Sequence, residues 1–172
     1  MGEVKKGVGN LLDTKTPKNI DKTNGRLFMS VKMSDKKKIL DIGSGNSNFV
    51  ENIKGDITTF DINSKYKPDI VGDICTYDFK GERFDLVIGH FVLKMINKDV
   101  EKAIENIASI TDRCIFYEPL YFNENKFRKR KTDKGVFAKN ILYYLCKYFY
   151  VKVEYGVMCD KKNTVNRIVC KK

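Results

Sequence analysis

The sequence predicts an α/β fold: a mostly parallel sheet, helices on both faces, and an antiparallel strand pair at the C-terminal end. Three observations carry this. Short apolar runs alternate with segments of helical spacing between Lys38 and Leu145, the order that builds successive β–α–β units. Two runs contain unbroken apolar stretches, Leu86-Val-Ile88 and Cys114-Ile-Phe116, as expected of strands covered on both faces. The last two runs are joined by a turn at Asp160-Lys-Lys-Asn163, which makes them an antiparallel pair.

Element by element, residues 1–24 are polar and broken by Gly7, Gly9 and Pro17. They read as a flexible basic arm, with 25–172 as a single domain. Arg26 to Met33 is a candidate helix. Lys38-Ile-Leu-Asp-Ile42 is a first strand ending in glycines. Phe49, Val50 and Ile53 then fall at helical spacing, and Gly55 is a natural stop. Ile57 to Ile62 is β-branched, a second strand ending at Asp61, and Asp69-Ile-Val71 is a very short third. Only seven residues, Ile62 to Pro68, separate them. A parallel crossover normally takes about a dozen or more, so either the third strand is a stub or the crossover has shrunk to a turn. Phe84 to Ile88 is the fourth strand. From Asn97, a suitable N-cap, Val100, Ala103, Ile104, Ile107 and Ala108 mark one helix face. Arg113 to Tyr117 is the fifth strand. Val136 to Leu145 is helical, with Phe137, Ile141, Leu142 and Leu145 inward. Tyr148–Val157 and Thr164–Cys170 are the closing strands. The tyrosines 143, 144, 148 and 150 are read mainly as packing residues at helix and strand spacing.

Composition narrows the function classes. The 172 residues give room for one domain. No run approaches the roughly 20 apolar residues of a membrane span, and the lysine-rich N-terminus has no apolar core behind it. Five cysteines, none two residues apart from another, and one histidine argue against a zinc site or a disulfide framework. Reduced, mostly buried thiols of a cytoplasmic protein are the economical reading. The net charge of +11 is uneven: +6 over residues 1–38, −6 over 39–125 and +11 over 126–172. Basic flanks around an acidic middle fit an anionic partner such as RNA or a phosphorylated or carboxylated substrate. Lysine outnumbers arginine 27 to 6, so plain compositional drift fits equally well.

The segment with chemical content is Leu40-Asp-Ile-Gly-Ser-Gly-Asn46, after a strand and before a helix. Its glycines let backbone approach a ligand, and the helix start offers free N–H groups. Asp61 ends the next strand, where a carboxylate can accept from both ribose hydroxyls. Gly72-Asp73-Ile74 ends the third strand and Gly89-His90 the fourth, so the acidic groups gather at the carboxyl edge of the sheet.

From Ile39 to Glu118 the chain resembles the class I S-adenosylmethionine-dependent methyltransferases, with their Rossmann-like sheet. That family's first motif is an acidic residue followed by two spaced glycines, here Asp41, Gly43 and Gly45. The resemblance implies that Asp41, Gly43, Ser44, Gly45 and Asn46 hold the methionine part of S-adenosyl-L-methionine. Asp61 would bind the ribose, and Ile62 and Asn63 would flank the adenine. Asp73 would face the adenine amino group with the Ile74 backbone nearby, and Gly89 and His90 would close the site beside the sulfonium. A third glycine often follows in the family; Ser47 stands there. A dinucleotide-binding loop would need glycine at position 48, which is Asn48, and would leave Asp41 and the Asp73 element without a role.

Methyl transfer from a sulfonium is mostly a matter of alignment, and a base is needed only when the acceptor must lose its proton early. His90 is the candidate base, the alternative being a hydrogen-bonded wall residue or a cofactor contact. Glu118 and Tyr121 come next, Glu118 rather as a loop or substrate-orienting group. Lys126-Phe-Arg-Lys-Arg-Lys131 is either a lid over the site or a phosphate-tracking segment with an aromatic stacking ring. The function expected is methyl transfer to oxygen or nitrogen on a small molecule or an RNA. A non-catalytic methyltransferase-like partner subunit and an RNA-binding protein are the competing classes.

Overall fold

The computed structural model describes residues 37–46, 53, 55–96, 99–118, 138–158 and 164–172. Seven strands form one sheet: β1 (Lys38–Ile42), β2 (Asp56–Asp61), β3 (Ile70–Val71), β4 (Leu86–His90), β5 (Arg113–Glu118), β6 (Tyr150–Met158) and β7 (Thr164–Lys171). Their order is β3-β2-β1-β4-β5-β7-β6. The first five are mutually parallel, and β7 runs antiparallel between β5 and β6. The chain reverses its direction of travel across the sheet between β3 and β4. This places the ends of β1 and β4 at the switch point, where open α/β sheets bind ligands.

Two helices are described, α1 (Val100–Ile110) and α2 (Ala138–Tyr148). They pack on each other and share one core with the sheet residues Leu40, Ile42, Val87, Cys114, Phe116, Ile168 and Cys170. The five apolar residues expected along the first helix are all buried, as are Ile141 and Leu145 of the second. The N-cap of α1 is Asp99, which makes no side-chain cap bond; Asn97, the N-cap expected from the sequence, lies outside the described residues. The alternate residues Ile39, Asp41, Leu86, Ile88 and Ile115 point to the other face of the sheet and are no more than 1% exposed. Both faces are therefore buried, which is why these strands read as continuous apolar runs.

Several expected boundaries shift by one or two residues. The fourth strand begins at Leu86, with Phe84 left as an isolated bridge to Thr111. Tyr148 closes α2 instead of opening β6. Both alternatives for the short crossover hold at once. β3 is two residues long, and one 3-10 turn, Ser64–Tyr66, replaces a crossover helix. Aromatic packing covers that end of the sheet: Phe60, Tyr77, Phe79 and Phe84 touch ring to ring at 4.8–6.1 Å. The N-terminal arm, the candidate helices at Arg26–Met33 and Phe49–Gly55, Tyr121, the basic segment Lys126–Lys131 and the turn Asp160–Asn163 lie outside the described residues, apart from Ile53 and Gly55. Cys75, Cys114, Cys146 and Cys170 are free thiols. No described helix is long and apolar enough to cross a membrane.

Candidate active site

At the carboxyl edge, the loop after β1 is tied to the end of β2. Gly43 and Gly45 adopt φ of +64° and +53°, a left-handed backbone that glycine adopts without strain. The turn they make aims the Gly45 N–H at Asp61 Oδ2, 2.9 Å away, while Ser44 N donates to the Phe60 carbonyl at 3.2 Å. The other Asp61 oxygen, Oδ1, accepts from Asn63 N at 2.8 Å. One buried carboxylate thus spans two loops, and each of its oxygens keeps a lone pair for a ligand hydroxyl.

Asp41 and Ser44 complete the cluster with unused capacity. Asp41 is 1% exposed, yet its Oδ2, like Ser44 Oγ, has no hydrogen-bond partner among the described residues. Burial first, and then the neighbouring Asp61 carboxylate, pushes Asp41 up to about 7. A buried acceptor left unmatched costs about 1–3 kcal/mol, and native structures seldom leave one without a purpose. A ligand carrying a cationic amine and further polar groups suits this pair. The group implied by the sequence, S-adenosylmethionine, has such an amine, so the residues present fit it.

A second junction joins β1 to β4. A Cβ on Gly43 would lie 2.8 Å from Val92 Cγ2, and one on Gly89 would lie 2.6 Å from Val92 Cγ1. Val92 is therefore wedged into space that two glycines leave open. Gly89→Ala should force this wedge apart at a cost of about 1–3 kcal/mol. Thermal unfolding checks it, as a fall in Tm of roughly 2–4 °C per kcal/mol. An unchanged Tm would mean that the wedge is not tight.

Beyond Gly89 the chain passes His90 and turns at Phe91, a non-glycine residue at φ +58°. His90 lies 4.1 Å from the Phe91 ring and edge-on to Tyr117 at 6.3 Å. Burial, and then the Lys94 ammonium, hold His90 down at about 4. It is neutral at physiological pH and a weak proton acceptor, so the wall-residue reading is favoured over the base. The register extends from His90 to Tyr117, Arg167 and Glu154 on four adjacent strands. Arg167 is hydrogen-bonded to Tyr117 and pairs with Glu154, its Nε 2.6 Å from Oε2. Sequence reasoning missed this row and Val92. The glycines signalled close approaches but not the side chain that approaches.

Glu118 is wholly buried. Oε1 accepts from Leu93 N at 2.7 Å and Oε2 from Lys94 N at 3.3 Å. Burial pushes the carboxyl up to about 8, against the pull of these amides and the Lys94 charge.

The adenine-side residues are less closely joined. Ile62 is 69% exposed beside Asp61, an apolar surface that a flat base could cover. Asp73 is exposed and turns the chain by accepting from Cys75 N at 2.9 Å. Ile74 is buried, and its carbonyl accepts from Asn106 Nδ2 at 2.9 Å. The link from β3 to this cluster is the Gly72 N–H, donated to the Asp61 carbonyl at 3.1 Å. So Asp41, Ser44, Gly45 and Asp61 form one group, and Gly43 and Gly89 meet at Val92, with His90 following Gly89 in the chain. Asn46 is exposed at the loop end. No group of three or more metal-ligating side chains occurs among the described residues.

Comparison with known proteins bears on the fold. Residues 40–113 match the family model described as "Methyltransferase domain". No curated protein matches significantly. Among solved structures, the N-methyltransferase NodS from Bradyrhizobium japonicum WM9 superposes with a TM-score of 0.61 at 14% identity, covering 78% of this chain and 83% of that one. The plantazolicin methyltransferase BpumL, solved in complex with SAH, gives 0.58 at 11%, covering 79% and 76%. The small RNA methyltransferase HEN1 gives 0.58 at 13%, covering 81% of this chain and 23% of that one. At these identities the likeness is one of fold.

Proposed function

We propose, from the premise that this chain carries a class I S-adenosylmethionine-dependent methyltransferase domain, that it methylates an oxygen or nitrogen of an anionic acceptor. The carrying observation is the buried Asp41 Oδ2 and Ser44 Oγ, unmatched beside a carboxylate that already fixes the loop. Asp41 and Ser44 would hold the amino-acid end of the cofactor, Asp61 the ribose, and Ile62 one face of the adenine. When bound, the cofactor supplies an electrophilic methyl on a good leaving group. The chain's own share is alignment. Gly89 and His90 close the methyl side, with neutral His90 orienting the acceptor rather than stripping its proton.

Two features support a negative acceptor. Lys94 lies over the Phe91 ring at 4.8 Å, beside His90. The two segments proposed for acceptor recognition, the N-terminal arm and the stretch Tyr121 to Lys134, are both basic. The three structural relatives act, by their names, on different acceptors, so the fold does not select between a small molecule and an RNA. A purely non-catalytic role fits less well, because an idle pocket has no need of Asp41, Ser44 and Asp61 together.

The test is transfer of labelled methyl from S-adenosylmethionine into fractionated cell extract. Label in an anionic small-molecule or RNA fraction is the expected result. Label confined to neutral or cationic acceptors would refute the anionic reading, and no label in any fraction would refute the catalytic one.

A further inference from the structure

We propose that Glu118 is the positioning residue for the acceptor side of the site: it holds the turn after β4 against the cofactor loop. The inference deepens the reading above and rests on it. Three contacts fix this turn. Phe91 N donates to the Tyr117 carbonyl at 2.9 Å, so the strand pairing is carried one residue past His90. Val92 fills the gap between Gly43 and Gly89. Leu93 and Lys94 each donate a backbone N–H to the Glu118 carboxyl, at 2.7 and 3.3 Å.

The third contact is the unusual one. The 3-10 turn Leu93–Met95 has no cap from its own N-cap residue, Val92. Its free amides are met instead by a side chain 24 and 25 residues away in sequence, at the end of the neighbouring strand. Glu118 is 0% exposed and Leu93 is 0% exposed, so at Leu93 no water stands ready to replace the carboxyl, while the Lys94 amide is only part-buried. Phe91 needs such restraint, since a bulky residue at positive φ persists only where its surroundings over-determine it. The Glu118 carbonyl is itself bonded by Asn166 Nδ2 at 3.4 Å, which steadies the end of β5 from β7. Through Val92, the same turn sets how closely His90 and Phe91 stand to the Gly43 loop. Glu118 touches neither cofactor nor acceptor in this scheme; it acts through the turn.

The test uses the full chain with Glu118→Gln and Glu118→Ala. Gln keeps the volume and one acceptor oxygen; Ala removes both. Three quantities are measured: amide exchange at Leu93 and Lys94, S-adenosylhomocysteine affinity, and the initial rate of methyl incorporation into the extract fraction that the wild type labels. The expected result for Ala is exchange at least tenfold faster at both amides. The rate at saturating cofactor should fall at least tenfold, with affinity for S-adenosylhomocysteine changed less than threefold. Gln should restore protection at Leu93 and part of the rate. Unchanged exchange at Leu93 and Lys94 overturns the proposal, and so does a rate loss no larger than the loss of folded protein. If Ala fails to fold, Gln carries the test: it should speed exchange at Lys94 alone and lower the rate, and wild-type values for both overturn the proposal. Wild-type protein that binds no S-adenosylhomocysteine would instead overturn the parent reading, while the exchange arm still decides whether Glu118 holds the turn.

Discussion

Asp61→Ala should abolish the rise in melting temperature that S-adenosylhomocysteine gives the wild-type protein. At a hundred times Kd, a ligand stabilises the folded state by about 2.7 kcal/mol. For a chain of this size that is a shift of roughly 5–11 °C, at about 2–4 °C per kcal/mol. Hydrogen bonds to a charged group contribute about 1.5–3 kcal/mol each, and Asp61 is placed to accept two from a ribose. Their joint loss weakens binding by a factor of a hundred or more. At the same ligand concentration the remaining stabilisation is then about 0.4 kcal/mol or less, a shift of about 1 °C.

The variant also loses the bonds from Gly45 N and Asn63 N. Asn63 is exposed and Gly45 partly so, so water can replace the carboxylate there, and the unliganded protein should lose only about 1–2 kcal/mol. Asp61→Asn separates the two roles. It keeps one acceptor oxygen for a loop amide but offers a donor in place of the second acceptor. Its unliganded Tm should lie nearer the wild type than that of Asp61→Ala, while its ligand shift stays small. A full ligand shift in Asp61→Ala would remove Asp61 from the site.

What the sequence made legible follows from what each feature depends on. The strands and α1 depend on local pattern: Val100, Ala103, Ile104, Ile107 and Ala108 share a face because of helix geometry alone, and all five are buried. The Gly43–Gly45 loop was legible because a left-handed turn at the end of a strand restricts residue choice. β3 was harder to bound. A two-residue strand at the sheet edge is fixed by its pairing to Phe60 and Asp61, not by its own pattern. The Val92 wedge and the Glu118 clamp were illegible for a similar reason. Neither residue differs locally from an ordinary core valine or loop glutamate. Each acquires its role from a backbone brought to it by parallel pairing of β1, β4 and β5. Glu118 was visible as a candidate, but as a loop residue or a substrate-orienting group. Its complete burial moves it one step behind the site.

Asp41→Asn should change stability and binding in opposite directions, and in a pH-dependent way. Asp41 has an ordinary carboxyl value of 3.8 when unfolded and about 7 when folded. Between those values the folded chain keeps a proton that the unfolded chain has released. Stability attributable to Asp41 is therefore fully present below about pH 4 and is lost as pH rises through 7. At about 1.4 kcal/mol per unit, the whole loss approaches about 4 kcal/mol. Asn cannot ionise and escapes it, but leaves an unmatched buried amide at a cost of about 1–3 kcal/mol. At pH 8 the unliganded variant should then be more stable by about 2 kcal/mol, roughly 4–8 °C in Tm. At pH 5, where wild-type Asp41 is mostly protonated, the advantage should vanish or reverse.

His90, held down at about 4, and Glu118, raised to about 8, also tilt the stability profile. They are common to both proteins and largely cancel in the difference. Binding shows the converse. A cationic amine pairs with an ionised Asp41, so wild-type affinity for S-adenosylhomocysteine should rise as pH increases through 7, with close to one proton released per ligand at pH 6. The variant should bind at least tenfold more weakly at pH 8 and show little of this dependence. Thermal unfolding from pH 5 to 9, with and without ligand, measures both effects. Parallel Tm curves for the two unliganded proteins would mean that Asp41 ionises as freely in the fold as in water. The unmatched oxygen would then carry no stored cost for a ligand to relieve.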